Sequence, residues 1–225
     1  LSIFISSNLY IFNLTSTDMK IIVTISREYG SNGKEIGRLL AQKLGISYYD
    51  KSILENLAKN MGVNSDFFKD ENLNREGMFS LAGSFRTNVK MLTELSLSTQ
   101  AYDQGRAILQ DLVKKDNAVI VGRCSNFILK DHPGQISVYC YGELEDRLKR
   151  VIEEYNVPAS KARKVVLDTD AKRAKHYEYY THQKWGQLDD FDVTINTSKQ
   201  SMEETIDLLV ELYHQKEKKL QERSK

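Results

Sequence analysis

The interpretation of this chain starts from one stretch near its beginning, Ile21-Ile22-Val23-Thr24-Ile25-Ser26-Arg27-Glu28-Tyr29-Gly30-Ser31-Asn32-Gly33-Lys34-Glu35-Ile36-Gly37. Its first residues form a β-branched apolar run, which predicts a buried strand. Two glycines then predict a turn, and the amphipathic residues after Lys34 predict a helix. A strand followed by a glycine loop, a lysine and a helix is typical of a phosphate-binding loop.

Each part of this order has a physical reason. Glycines let backbone N–H groups turn towards an anion. The helix start adds unpaired N–H groups and the positive end of the helix dipole, and Lys34 supplies a mobile cation. The strict P-loop pattern, G-x-x-x-x-G-K-[ST], is not met, because Glu28 replaces its first glycine and Glu35 its hydroxyl residue. A plain strand-turn-helix corner is therefore the alternative interpretation.

Outward from this corner, predicted strands and helices alternate. Short apolar runs predict further strands at residues 46–50, 117–122, 135–141 and 191–195. Helical spacing predicts helices at 36–44, 52–61, 78–115, around 127–129 and at 144–155, a charged helical pair over 160–183, and a long last helix. Ser52 and Ser201 are the predicted N-caps of the second and last helices. This alternation predicts an α/β fold, a parallel sheet with helices on both faces.

We expect a single domain over residues 19–215, with a polar connection at 63–77. Residues 1–18 are apolar and rich in Ser and Asn, with no Lys or Arg. We expect them to be a disordered or spurious extension, and an added strand or an interfacial anchor is the alternative. Residues 216–225 are expected to be a charged, solvated tail.

Composition argues against several classes of function. A net charge of +1 does not suit a nucleic-acid-binding domain. Cys124 and Cys140 are too few for a disulfide framework or a zinc site, and the four histidines lack ligand spacing, so no metal site built from protein ligands is predicted. No membrane span is predicted. We expect a cytoplasmic protein, with its oligomeric state left open.

Polar residues follow several of the predicted strands. The glycine loop, Asp50, Arg123 and Asn196 each come directly after one. Because ligands bind beyond the carboxyl ends of parallel strands, we expect these groups to converge at one edge of the sheet.

Several stretches make residues 19–213 resemble the cytidylate kinase-like family of P-loop nucleoside-monophosphate kinases. Residues 26–36 resemble the family's variant phosphate loop, and 48–51 the start of its monophosphate-binding region. Residues 119–123 are similar to the Gly-Arg after its third core strand. The similarity to its lid and final strand lies in residues 170–173, Tyr177, Tyr180, 185–186 and 192–198.

The resemblance implies a P-loop kinase-type fold with a helical monophosphate-binding insertion, at about residues 50–115, and a mobile lid, at about 156–186. It also implies transfer of the γ-phosphoryl group of ATP to a nucleoside monophosphate, with CMP as the prototype. ATP would be used with Mg²⁺ held mainly by phosphates and water, and the partners of the protein would be small-molecule nucleotides.

The resemblance also implies roles for individual residues. The catalytic residues would be Lys34, Arg123 and Arg173. The ATP phosphates would be bound by Arg27, Gly30, Ser31, Asn32, Gly33, Lys34 and Glu35. The acceptor would be bound by Asp50 and Arg123. The lid would contribute Arg163, Asp170, Arg173 and Tyr177, and the adenine-side loop would be Asn196, Thr197 and Ser198.

Several of these residues have two open uses. Asp50 could order the acceptor region or cap the next helix, and Asp170 could orient Arg173 or form an ordinary helical ion pair. Glu35 could hold Mg²⁺ through water or face away from the phosphates. Cys124 stands where typical cytidylate kinases carry an aspartate that contacts the acceptor nucleoside.

Arg27 and Tyr177 each have two possible uses, and the chain has two alternative functions. Arg27 could bind phosphate or hold the loop to the sheet, and Tyr177 could flank a base or pack within the lid. The chain could instead be a nucleotide-binding regulatory protein without turnover, or a kinase of another small-molecule acceptor.

Overall fold

The computed structural model describes residues 19–62 and 88–223, with the side chains of 88–98 left aside. In these ranges the strands are β1 (Ile22–Arg27), β2 (Ser47–Tyr49), β3 (Ala118–Val121), β4 (Gln135–Tyr141) and β5 (Val193–Asn196). The helices are α1 (Gly33–Leu44), α2 (Lys51–Asn60), α3 (Asn88–Lys115), α4 (Ser125–Ile128), α5 (Leu144–Glu153), α6 (Ala159–Thr181) and α7 (Met202–Glu222).

The five described strands form one parallel sheet in the order β2-β3-β1-β4-β5. Strand β1 is central, and its Thr24 lies opposite Ile120 of β3 and Ser137 of β4. The predicted fold class, a P-loop kinase-type parallel sheet with helices, is confirmed. Because all strands run in the same direction, their carboxyl ends meet at a single edge.

Buried apolar side chains form a separate cluster on each face of the sheet. Val23 and Ile25 pack with residues of α1 and α7 on one face. Ile22 packs with residues of α2, α3 and α4 on the other. The opposite placement of Ile22 and Val23 follows from the two-residue period of a strand, and it is why helices cover both faces.

Helix α1 lies very close to the sheet at Gly37. A Cβ atom built there would be 2.8 Å from Val121 Cγ2 and 3.1 Å from Ile25 Cδ1. The helix ends at Gly45, as predicted, where a φ of 66° suits glycine. This close approach directs the start of α1 towards the edge where β1 and β3 end.

One helix prediction was wrong in extent. The helical pair expected over 160–183 is the single helix α6, because no glycine or proline interrupts it and buried side chains continue from Ala162 to Thr181. The charged residues from 216 continue α7 to Glu222, where burial of Leu220 ties the last turns to the core. No helix in the described ranges is both long and apolar enough to cross a membrane.

Other predictions concern capping or lie outside the described residues. Helix α2 begins at Lys51, so the residue that caps its Ile53 N–H is Asp50 and not Ser52. Ser201 caps α7, as predicted, and the structure adds a complete capping box with Glu204. The predictions for residues 1–18, for the connection at 63–77 and for the helical start at 78–87 lie outside the described residues.

We predict that Gly37→Ala destabilises the protein by about 1–3 kcal/mol, because the added methyl group overpacks the contact with the sheet. Helix propensity alone predicts the opposite sign, since alanine favours a helix by roughly 0.8–1 kcal/mol over glycine. Urea unfolding measures the difference. Gln42→Ala, at an exposed position of α1, is the control, and a stabilising Gly37→Ala would contradict the close approach.

Candidate active site

The loop from β1 into α1 is held from within by Ser31. Its fully buried hydroxyl lies 2.9 Å from the Glu28 carbonyl oxygen and 3.0 Å from that of Cys140. The Glu28 N–H also donates to Cys140 O, at 3.0 Å. Gly30 and Asn32 have left-handed φ values of 80° and 59°. The side chain of Asn32 does not cap α1, so the first N–H groups of that helix are left for another acceptor.

The end of β3 is a second tight turn at the same edge. Gly122, Arg123 and Cys124 are three successive residues with left-handed φ values, 81°, 56° and 53°. Non-glycine residues rarely adopt this region, and strained backbone of this kind clusters at functional sites. The Arg27 side chain crosses Gly122 so closely that a Cβ there would be 2.1 Å from Arg27 Nη1. The left-handed φ and this close contact both favour glycine at 122.

A cavity of about 360 Å³ opens between these two turns, α2 and α6. Six of its described lining side chains are cationic, and one carboxylate, that of Asp50, lies among them. The cations are Arg27, Lys34, Lys51, Arg123, Lys172 and Arg173. His176, Tyr177 and Trp185 provide ring surface on the same wall. Such a lining fits a ligand with several negative charges and a planar group.

Lys34 and Asp50 form an ion pair across the cavity mouth. Lys34 Nζ lies 2.9 Å from Asp50 Oδ2, and the Lys34 side chain is 61% exposed while that of Asp50 is 8% exposed. Asp50 also caps α2 by accepting from the Ile53 N–H at 3.1 Å and from the Ser52 hydroxyl at 2.9 Å. Both uses predicted for Asp50 are therefore compatible with its position.

The pKa of Asp50 reflects these contacts. Burial alone would raise it, but hydrogen bonds from Lys34, the Ile53 N–H and Ser52 together hold the pKa below the ordinary value of 3.8. A depressed pKa means that the charged carboxylate stabilises the fold above about pH 3.8. That stabilisation is lost as the pH falls through the depressed pKa.

Helix α6 contributes Arg173, as predicted. Its Nη1 donates to the Arg27 carbonyl oxygen at 3.0 Å, and its guanidinium lies 5.4 Å from the centre of the Tyr29 ring. Asp170 lies 3.7 Å from Arg173 and is closer to two other residues. It accepts from the Tyr29 N–H at 2.7 Å and lies 2.6 Å from Arg147 Nη1.

Sequence reasoning missed Arg147 and Arg150, which extend from α5 to the loop. Arg147 is 7% exposed and contacts the Tyr29 carbonyl oxygen, and Arg150 donates to that of Gly30. A signal was present, because Arg147 falls on the same helical face as Leu144, Leu148 and Val151. A charged residue at an inward-facing position indicates a buried, paired charge.

Not every predicted site residue reaches the cavity. Arg163 is 65% exposed and approaches Glu145 at 3.9 Å, away from the described lining. Asn196 lies beside Glu143, Thr197 donates to Tyr141 O, and Ser198 accepts from the Glu143 N–H. Asn196 follows β5 at the same edge of the sheet, as expected, but it is not among the described residues that line this cavity.

Three other predicted residues have defined surroundings. Glu35 pairs with Arg38 of the same helix at 2.6 Å. Its carboxylate therefore faces away from the loop, which is one of the two arrangements expected. Tyr177 is buried against the core and accepts from Asn126 Nδ2 at 3.0 Å, which favours packing over base contact. Burial raises the pKa of the Cys124 thiol to about 12 despite the neighbouring Arg123.

Comparison with known proteins identifies relatives along most of the chain. The sequence model of the cytidylate kinase-like family matches residues 22–199. A cytidylate kinase from Sulfurisphaera tokodaii is 22% identical over 194 residues, which cover 86% of this chain and 94% of the relative. A uronate isomerase from Corynebacterium glutamicum is 25% identical over 167 residues, 72% of this chain, and the chain spans only 32% of that relative's length.

A solved structure shares the fold. An uncharacterized protein from Eubacterium ventriosum superposes with a TM-score of 0.66 at 23% sequence identity, covering 87% of this chain and 99% of that protein.

We predict that Lys34→Met raises the pKa of Asp50, because a major hydrogen bond that stabilises the carboxylate is removed while burial persists. The pH dependence of the Asp50 carboxyl ¹³C shift measures this pKa. Lys43→Met, which removes a lysine of α1 paired with Asp207, is the control. An Asp50 pKa that is the same in both variants would contradict the ion pair.

Proposed function

Because this chain belongs to the cytidylate kinase-like family, we propose that it transfers the γ-phosphoryl group of ATP to a nucleoside monophosphate, with a CMP-like acceptor. A kinase-like function follows from the family. The observation that carries the finer proposal is the cavity lined by six described cations at the start of α1. Phosphoryl transfer needs aligned reactants and positive charge around the transferred group, and no nucleophilic side chain.

On the donor side, we assign the ATP phosphates to the loop from Gly30 to Lys34. The two positive-φ residues and the uncapped start of α1 leave backbone N–H groups for phosphate oxygens. Lys34 has a mostly exposed side chain, so it can exchange its contact with Asp50 for a phosphate oxygen. Arg27 lies under Gly122 at the cavity wall, where it supports the loop and adds charge.

On the acceptor side, we assign the α-phosphate of the monophosphate to Arg123. Its guanidinium can donate two parallel hydrogen bonds to a phosphate, and the strained turn places it in the cavity wall. Cys124 remains a neutral thiol at physiological pH. It therefore offers a base neither the charge nor the strong acceptor of a carboxylate, and the assignment of a CMP-like acceptor rests on the family.

In the proposed step, an oxygen of the acceptor phosphate forms a bond to the γ-phosphorus of ATP as the bond to the β,γ-bridging oxygen breaks. The products are ADP and a nucleoside diphosphate. Lys34, Arg123 and Arg173 surround the cavity where this charge moves. Arg173 is the residue we assign to the transferred group, because it lies on α6 between the loop and the acceptor side.

The residues present fit a Mg²⁺ ion that is held by phosphates and water. Among the described residues, no group of three or more His, Cys, Asp or Glu side chains is arranged to hold a metal. The two carboxylates beside Lys34 already have cationic partners, Glu35 with Arg38 and Asp50 with Lys34. Mg²⁺ commonly keeps several waters and binds through substrate phosphates, whose charge it neutralises.

The test of the function is a coupled assay of ADP release with ATP, Mg²⁺ and each common ribo- and deoxyribonucleoside monophosphate. We expect CMP or a close analogue to give the highest kcat/KM. If calorimetry detected ATP binding but no acceptor gave ADP, a regulatory nucleotide-binding protein would be supported instead. If ATP did not bind at all, both functions would be excluded.

We predict that Lys34→Ala lowers kcat/KM by orders of magnitude while the protein stays folded, because its charge stabilises the phosphoryl group in transit. Steady-state ADP formation and a thermal melt measure the two effects. Lys43→Ala is the matched control, a lysine on the same helix paired with Asp207. Near-normal turnover of Lys34→Ala would remove Lys34 from this role.

A further inference from the structure

The backbone N–H and the carbonyl oxygen of Tyr29, in the phosphate loop, both form hydrogen bonds to side chains. Its N–H donates to Asp170 Oδ1 at 2.7 Å, and its carbonyl oxygen accepts from Arg147 Nη1 at 3.3 Å. The same Nη1 atom lies 2.6 Å from Asp170 Oδ2. One residue of the loop, one of α5 and one of α6 therefore share a closed network.

This network is shielded from solvent. The Arg147 side chain is 8% exposed and that of Asp170 is 14% exposed. Arg147 Nε approaches Glu28 Oε2 at 3.4 Å, and Glu28 in turn accepts from the Gly142 N–H at 3.1 Å. Charges that are shielded in this way interact more strongly than exposed ones and are screened less by salt. A planar guanidinium with several donors suits one residue that must meet three partners.

The network determines where Arg173 lies relative to the loop. Asp170 is one helical turn before Arg173 on α6, and Arg173 Nη1 donates to the carbonyl oxygen of Arg27. Arg147 and Asp170 are not among the described residues that line the cavity. They therefore act on the cavity through the elements that they join, α5, α6 and the loop.

We propose that Arg147 and Asp170 are positioning residues for phosphoryl transfer, and this inference rests on the proposed function. Their ion pair holds α6 and the phosphate loop in the relative position that lets Arg173 and Lys34 face the same phosphates. Without it, the loop is still held by the contacts of Ser31 and Glu28 with Cys140 and of Arg150 with Gly30, so the groups that bind ATP stay in place while Arg173 is displaced from the transferred group. A displacement of about 1 Å in reacting geometry lowers the rate by roughly 100-fold.

The first test is Asp170→Asn, which keeps the size of the side chain and removes its charge. We expect kcat to fall about 100-fold, while the KM for ATP changes little because the loop N–H groups and Lys34 are intact. The matched control is Asp168→Asn on the same helix, whose carboxylate is 54% exposed and pairs with Lys164 at 3.2 Å. Thermal melts of both variants verify folding.

Arg147→Met provides an independent variant. It keeps the length of the apolar stem and removes the donors that meet Tyr29, Asp170 and Glu28, so the same fall in kcat is expected. If Asp170→Asn does not fold, Arg147→Met serves for the same comparison. Wild-type kcat in a folded Arg147→Met variant would overturn the inference.

The second test is a double-mutant cycle with Arg173. If Asp170 acts through Arg173, Asp170→Asn should cause no further loss of kcat in an Arg173→Ala background. Additive losses would show that Asp170 does not act through Arg173, and would overturn the inference. A merely structural role predicts additive losses and a lowered melting temperature instead.

The two proposals can fail separately. If the wild-type protein forms ADP and Asp170→Asn keeps its kcat, the positioning role fails and the kinase function stands. If the wild-type protein forms no ADP with any acceptor, the kinase function fails and the positioning role fails with it. Amide exchange gives a readout without turnover, since loss of the acceptor in Asp170→Ala should speed exchange of the Tyr29 N–H.

Discussion

Strand β1 pairs in parallel with β3 on one side and with β4 on the other, and this pairing fixes the position of the loop that follows it. Its residues Ile22 to Arg27 are in register with β4 over their full length, and with β3 as far as Ile25. The pairing continues into the loop, because the Glu28 N–H and the Ser31 hydroxyl both meet Cys140 O. The conformation that faces the cavity is therefore an extension of the sheet and is fixed before any ligand binds.

The loop is also held by the helices that follow the sheet. Three elements make hydrogen bonds to the loop. The residues that make them are Cys140 of β4, Arg147 and Arg150 of α5, and Asp170 of α6. The contacts from α5 and α6 meet backbone atoms of the loop, whereas the contact with Cys140 also uses the Ser31 hydroxyl. A site arranged in this way loses little conformational entropy when an anion binds.

The sequence carried enough local information to predict most of this arrangement. The β-branched run of β1, the glycine at 45 and the Ser201 N-cap each act within a few residues of themselves, and those predictions agree with the structure. Asp50 lies at the end of β2, as the sequence predicts. The predicted N-cap of α2 was Ser52, with Asp50 as an alternative, and Asp50 is the residue that caps the helix. What could be predicted were the elements, their ends and the residues that follow a strand.

The remaining features depend on contacts between residues far apart in the chain. Alternating strands and helices do not determine strand order, so the two-strand separation of Asn196 from the loop was not predictable from periodicity. The partners of Asp170 lie 23 and 141 residues away, in Arg147 and Tyr29. An inward-facing arginine signals that a partner exists, but it does not say which one.

The uneven distribution of charge around the cavity has a kinetic consequence. Six described cations face one carboxylate, and Cys124 stays an uncharged thiol beside Arg123. A recess with weakly polarisable walls focuses the electric field of such charges outwards and attracts anions before contact. The chain as a whole is nearly neutral, with a net charge of +1. Attraction at this opening therefore comes from local charge and not from the net charge, and added salt should slow the arrival of a polyanion there more than its departure.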